Sequence, residues 1–208
     1  MDREGAQAWV PSTRSVRTLA EAARDCRGCE LWQDATQVVF SRGPAGARLV
    51  LVGEQPGDQE DLAGQPFVGP AGRVLVDALD RAGVDRSTVY VTNAVKHFRH
   101  TVRGKRRIHE KPGVGHVTAC QPWLEAELAI VRPDVVVCLG ATAARAVLGR
   151  AVTIGAVRGE LLEADRSGPR VVVTTHPSAL LRLRDETERE EGLEALVADL
   201  RVAASAVD

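Results

Sequence analysis

With 208 residues, 44% of them hydrophobic and 26% charged, the chain has the composition of an ordinary globular protein able to bury a sizeable core. A net charge of -1 excludes wholesale attraction to polyanions, so a nucleic-acid partner has to be held by a local basic patch. No apolar run approaches the ~18 residues of a membrane span, and the start, Met1-Asp2-Arg3-Glu4-Gly5, does not read as a signal peptide; the expectation is one cytoplasmic domain over residues 1–208 with no membrane partner.

In chain order, residues 1–13 read as a loose N-terminal arm. Val16, Leu19, Ala22 and Ala23 recur at helical spacing over 15–26, and Gly28 follows as a stop. Residues 48–52 are apolar enough for a buried strand. Pro70 opens a helix whose apolar face is Leu75, Val76, Leu79 and Ala82, with Gly83 as its end. A second strand is expected over 88–92 and a long basic loop over 93–112. A helix over 114–131 carries the stripe Val117, Cys120, Leu124, Leu128 and Val131. A third strand (134–139), a helix (141–148), a β excursion around Gly155 and Gly159, a fourth strand (171–175), a short helix and an acidic helix (186–204) complete the pattern. Strands alternating with helices predict a three-layer α/β/α fold around a mainly parallel four-stranded sheet.

The stretch from Gly53 to Gly72 is rich in glycine, proline and carboxylates, and it follows a strand and precedes a helix. Open α/β sheets bind ligands at that edge, and loops this long inside a compact domain are usually functional. The stretches 93–112 and 176–182 also follow strands, so parallel strands bring all three to one edge. Together they offer Glu54, Asp58, Glu60, Asp61, Phe67, Asn93, His97, His100, His109, His176, Ser178 and a run of cations. An aromatic such as Phe67 in this loop is either a stacking platform or a core plug. Asn93 presents a donor and an acceptor that suit a base edge, or it forms a turn. Lys105-Arg106-Arg107-Ile108-His109 is a phosphate-holding run or a solvated charge cluster; a neutral His109 within it is a potential nucleophile, acid or base. His97, His100 and His116 read as surface residues.

The four cysteines are Cys26, Cys29, Cys120 and Cys138. Cys26 and Cys29 have a chelating C-x-x-C spacing, and four thiolates suit a [4Fe–4S] cluster or a structural zinc. A zinc ribbon has two close pairs and this chain has one, which favours iron–sulfur; buried, inert cysteines are the alternative, above all for Cys138 inside an apolar strand.

In this order the motifs resemble the uracil-DNA glycosylase superfamily, its iron–sulfur branch, and within that the UdgX-type subgroup, over nearly the whole chain. Gly53-Glu54-Gln55-Pro56-Gly57-Asp58, with Gly64-Gln65-Pro66-Phe67-Val68-Gly69-Pro70-Ala71-Gly72, is similar to the first family motif; Gln55 stands where most iron–sulfur members have a small residue. Asn93-Ala94-Val95-Lys96-His97 resembles the uracil-recognition strand end, and His176-Pro177-Ser178-Ala179-Leu180-Leu181-Arg182 the second motif. Lys105 to His109 resembles the signature loop of the subgroup, which joins itself covalently to DNA through the loop histidine. The resemblance implies that Cys26, Cys29, Cys120 and Cys138 hold a [4Fe–4S] cluster. It implies a uracil pocket of Gly53, Asp58, Phe67 and Asn93, and catalysis by His109, Glu54, His176 and Gln55. DNA would be held by Lys105, Arg106, Arg107, Ser178 and Arg182. The implied partner is uracil-containing, preferably single-stranded DNA, met by a monomer. A turning-over glycosylase and a non-catalytic iron–sulfur strand-binding module are the alternatives.

Overall fold

A computed structural model describes residues 3–163 and 168–207. Strands β1 (Leu49–Gly53), β2 (Tyr90–Asn93), β5 (Val135–Leu139), β6 (Leu161–Glu163) and β7 (Arg170–Thr174) form one sheet in the order β2-β1-β5-β7-β6. The first four run parallel, and β6 pairs antiparallel with β7. The sheet therefore has five strands rather than four. The extra one comes from the excursion around Gly159, which a short helix, α6 (Ile154–Val157), divides.

The two core layers follow the two-residue period of the strands. Val50, Val52, Val136 and Val171 face the layer of α1 (Val16–Ala23), α4 (Val114–Val131) and α5 (Ala141–Leu148). Leu49, Leu51, Val135 and Val172 face α3 (Pro70–Ala82), α7 (Pro177–Leu180) and α8 (Glu186–Ser205). With both faces covered, β1 and β5 are buried at every position, which is why they read as unbroken apolar runs. Gly83 closes α3 in the left-handed region, at φ 76°.

Three local expectations are corrected. The arm is tied down where it can be described: Gly5 N–H donates to Gly28 O, Ala6 N–H donates to Ala119 O, and Ala6 is buried. The long acidic stretch contains a helix, α2 (Asp58–Ala63). The basic loop is an antiparallel hairpin, β3 (His100–Arg103) and β4 (Arg106–His109), turning at Gly104 with φ 60°.

Candidate active site

The carboxyl ends of β1, β2 and β7 open into a cleft of about 380 Å³ lined by Gln55, Phe67, Asn93, His109, His176 and Arg182 among others. Gly53 and Asn93 are partners in the β1–β2 register. A Cβ at Gly53 would fall 2.3 Å from Asn93 Oδ1 and 2.6 Å from Phe67 Cζ, so glycine is what lets these two groups share a wall. Asn93 is buried, and its Oδ1 has no hydrogen-bond partner among the described residues. A buried acceptor left unpaired costs about 1–3 kcal/mol unless a ligand supplies the donor.

Phe67 adopts a left-handed backbone, φ 55°, which strains a residue with a Cβ. Gly72 on α3 permits it: a Cβ there would sit 1.9 Å from Phe67 O. The ring lies across the cleft from His176, with centroids 6.2 Å apart.

His176 caps α7. Ser178 N–H donates to its Nδ1 at 3.1 Å, and Ser178 Oγ lies 2.8 Å from the same nitrogen. Because Nδ1 accepts, the neutral ring carries its proton on Nε2. Burial, then the His109 and Arg182 charges, lower the pKa of His176 to about 4, so at neutral pH it is an uncharged donor.

Glu54 leaves the end of β1 and accepts a 2.5 Å hydrogen bond from Thr142 Oγ1, at the start of α5. Its other oxygen lies 3.7 Å from His109 Nε2. Burial lowers the pKa of His109; the Glu54 charge raises it, Arg182 lowers it further, and a hydrogen bond to the main chain of His109 itself raises it slightly. The net is a neutral imidazole at the mouth of the cleft.

Gln55 explains how the hairpin is held there. Its Nε2 donates to Arg99 O at 3.1 Å and Glu110 O at 3.0 Å, and its Oε1 accepts from Arg99 N–H at 3.2 Å. One amide thus pins both feet of the hairpin, which a small residue at position 55 could not do. Arg107 fastens the other end. Its guanidinium bonds Asp58 Oδ1 and Asp61 Oδ2, each at 2.6 Å, and Thr36 Oγ1 at 3.0 Å, and lies 5.5 Å over the Phe98 ring. Arg107 is therefore internally paired rather than a free phosphate contact, and Asp58 turns to it from the rim. Lys105, Arg106 and Arg182 are exposed.

The cysteines divide three to one. Cys26, Cys29 and Cys120 line one small buried cavity with His97 and Lys96. Trp123 Nε1–H donates to Cys26 Sγ and Lys96 N–H to Cys120 Sγ, both at 3.3 Å, the kind of N–H···S contact that supports thiolate ligands. Cys138 does not line this cavity; it is fully buried in β5, and burial alone raises its pKa. Among the described residues no group of three or more His, Cys, Asp or Glu side chains is in metal-holding geometry. In donor chemistry, the three sulfurs and the imidazole that line this cavity still fit a metal centre.

His97 and His116 are buried, unlike the surface histidines expected. Burial lowers His97 to about 4, and His116 bonds Gly113 N–H and Glu30. Only His100 lies near the surface, stacked on Phe98 with centroids 4.8 Å apart. Thr142 was absent from the expected set, although it too lies just past a strand end and the same rule applied to β5 reaches it. Glu60, one of the carboxylates expected at that edge, accepts from Gly57 N–H at 3.1 Å and Gly69 N–H at 2.8 Å and so ties α2 to the start of α3.

No helix among the described residues is long and apolar enough to cross a membrane. A model described as the uracil DNA glycosylase superfamily matches residues 40–201. Proteins named type-4 uracil-DNA glycosylase from Thermotoga maritima, Archaeoglobus fulgidus and Pyrobaculum aerophilum are 38%, 35% and 34% identical to the chain. Those matches cover 86%, 85% and 84% of this chain and 90%, 89% and 90% of theirs. The chain belongs to the uracil-DNA glycosylase superfamily.

Proposed function

We propose that this protein removes uracil from DNA and is then captured by the abasic sugar through His109, as in the UdgX-type subgroup. Uracil-DNA glycosylase activity is supported by the family match and by the names of the relatives. The observation that carries the trapping step is the pinned hairpin holding a neutral His109 beside Glu54.

The base leaves the stack to enter the cleft and lies on Phe67. The orphaned Asn93 Oδ1 accepts from uracil N3–H while the amide nitrogen donates to O4. Cytosine reverses both groups and leaves them unpaired. When the N-glycosidic bond breaks, its electron pair goes to uracil, and His176 Nε2–H donates to the oxygen where that charge gathers. Glu54 stabilises the cationic sugar left behind. The Nε2 lone pair of His109 then forms the bond to the sugar carbon. Lys105, Arg106, Arg182 and the Ser178 turn hold the backbone of a preferably single strand, bound by a monomeric, single-domain protein. Arg107 and Gln55 position His109 instead of touching DNA.

For the cofactor, we assign Cys26, Cys29, Cys120 and His97 as the residues that would hold a [4Fe–4S] cluster, with His97 replacing Cys138. When bound, the cluster would serve structure, joining α4 to the turn after α1.

The names of the relatives favour a second reading, in which water completes the reaction and His109 is a bystander. A denaturing gel with a uracil oligonucleotide separates them. A heat-stable shifted band supports trapping, and an alkali-cleavable abasic strand with no shifted band supports turnover. If uracil is not released at all, both readings fail and a strand-binding module remains.

A further inference from the structure

Lys96 is the largest buried charge that the chemistry above leaves unused. It is 1% exposed, and Glu127 on α4 is 0% exposed. An ammonium in such a place costs several kcal/mol unless its protons are all met. Here they are: Nζ donates to Thr92 Oγ1 at 2.6 Å, to the Asn93 main-chain oxygen at 2.9 Å and to Glu127 Oε2. Glu127 accepts in turn from Tyr90 OH at 2.7 Å and from Thr92 Oγ1 at 3.0 Å. A well-packed apolar pair often stabilises a core as much as a buried ion pair does. Stability is therefore a weak reason for this network to lie where it does.

Its place in the fold gives a better one. The network holds the last residues of β2 to α4, and one of its bonds ends on Asn93, whose side chain faces the base pocket with an unpaired oxygen. The main-chain N–H of the same Lys96 is fixed on Cys120 Sγ. Pinned at both ends, Lys96 cannot move without moving Asn93. We propose that Lys96 is a positioning residue for base recognition: clamped by Glu127, its ammonium grips the Asn93 carbonyl and fixes the angle at which the Asn93 amide meets the flipped base. The proposal rests on the reading of Asn93 as the base-reading residue.

The test is a double-mutant cycle on the single-turnover rate of uracil release, with protein in excess over a uracil oligonucleotide. Lys96→Met alone strands the Glu127 charge, so the working variant is Lys96→Met/Glu127→Leu. It leaves Tyr90 OH with Ser41 Oγ and Thr92 Oγ1 with Phe40 O. Glu127→Gln, which keeps the size and weakens the clamp, provides a second, milder variant. Uracil release should slow about tenfold in the paired variant and about threefold in Glu127→Gln, within the range of indirect coupling through packed networks. The thermal midpoints should stay near the parent value. In an Asn93→Ala background both losses should vanish, because there is no amide left to aim; a merely structural role predicts the same loss in either background. Folded variants that release uracil at the parent rate, or a loss undiminished by Asn93→Ala, overturn the proposal. If Asn93→Ala itself works at the parent rate, the base-reading assignment fails first and takes this one with it.

Discussion

Arg107→Ala should convert part of the trapping reaction into release of an abasic strand. The substitution removes both ion pairs that dock the hairpin. The Asp58 carboxylate is 48% exposed, so that pair counts for about 0–1 kcal/mol. Asp61 is 0% exposed and loses its cation, which costs roughly 3 kcal/mol, the low end for a broken buried pair, because Thr36 N–H still bonds it. Taken up entirely by the hairpin, that is about a hundredfold shift from docked to undocked. A well-oriented His109 competes at ~10⁵ M against ~55 M water, a partition of about 2000 to 1. If the docked fraction falls by that full factor, about 20 to 1 is left, so at most roughly 5% of the product should be free abasic DNA. Adding Gln55→Ala removes the three bonds at the hairpin feet and should bring water close to parity. The assay is a labelled uracil oligonucleotide on a denaturing gel, with and without alkali. An unchanged partition in the double variant, or uracil release falling in step with the adduct, would refute the latch.

Three further outcomes are expected. Gly53→Ala should abolish uracil release while the fold is kept, because its Cβ would fall 2.3 Å from Asn93 Oδ1; a variant with the parent rate of release contradicts the pocket wall. Adduct formation should fall on an acid limb centred below pH 6.5, since partial burial depresses the His109 pKa below the ordinary 6.5 and only the neutral ring attacks; a limb centred above 6.5 would count against it. Protein handled without oxygen should be brown and contain iron and sulfide, lost with Cys120→Ser and kept with Cys138→Ser. Colourless protein carrying zinc would contradict the cluster, and loss with Cys138→Ser would contradict its ligand set.

The sequence was most legible where residues act through their neighbours along the chain. Strands buried on both faces read as apolar runs, and the rule of strand ends brings Glu54, Asn93 and His176 to one edge. What it hid depends on pairing across distance. The charge run at Lys105 to His109 reads as a phosphate loop or a solvated cluster, and neither reading finds the pairing of Arg107, because Asp58 and Asp61 lie far back in the sequence. Cys138 reads as a ligand from the cysteine count and the family resemblance, although its apolar strand also suits a buried, inert thiol, and β5 packs it into the core. His97 carried no metal signal in isolation, since only the fold seats it beside Cys26, Cys29 and Cys120. The fifth strand reads only as a β excursion and not as a member of the sheet, because β6 is short and mostly exposed, without the apolar run of its neighbours.

The most direct test of the central claim is peptide mass mapping of the heat-stable product formed with a uracil oligonucleotide, in the parent and in His109→Ser. The parent should carry one sugar adduct, on His109, with uracil released. His109→Ser should give no adduct and instead release uracil and an abasic strand repeatedly. A crosslink on any other residue, or a full heat-stable shift without His109, would contradict the account.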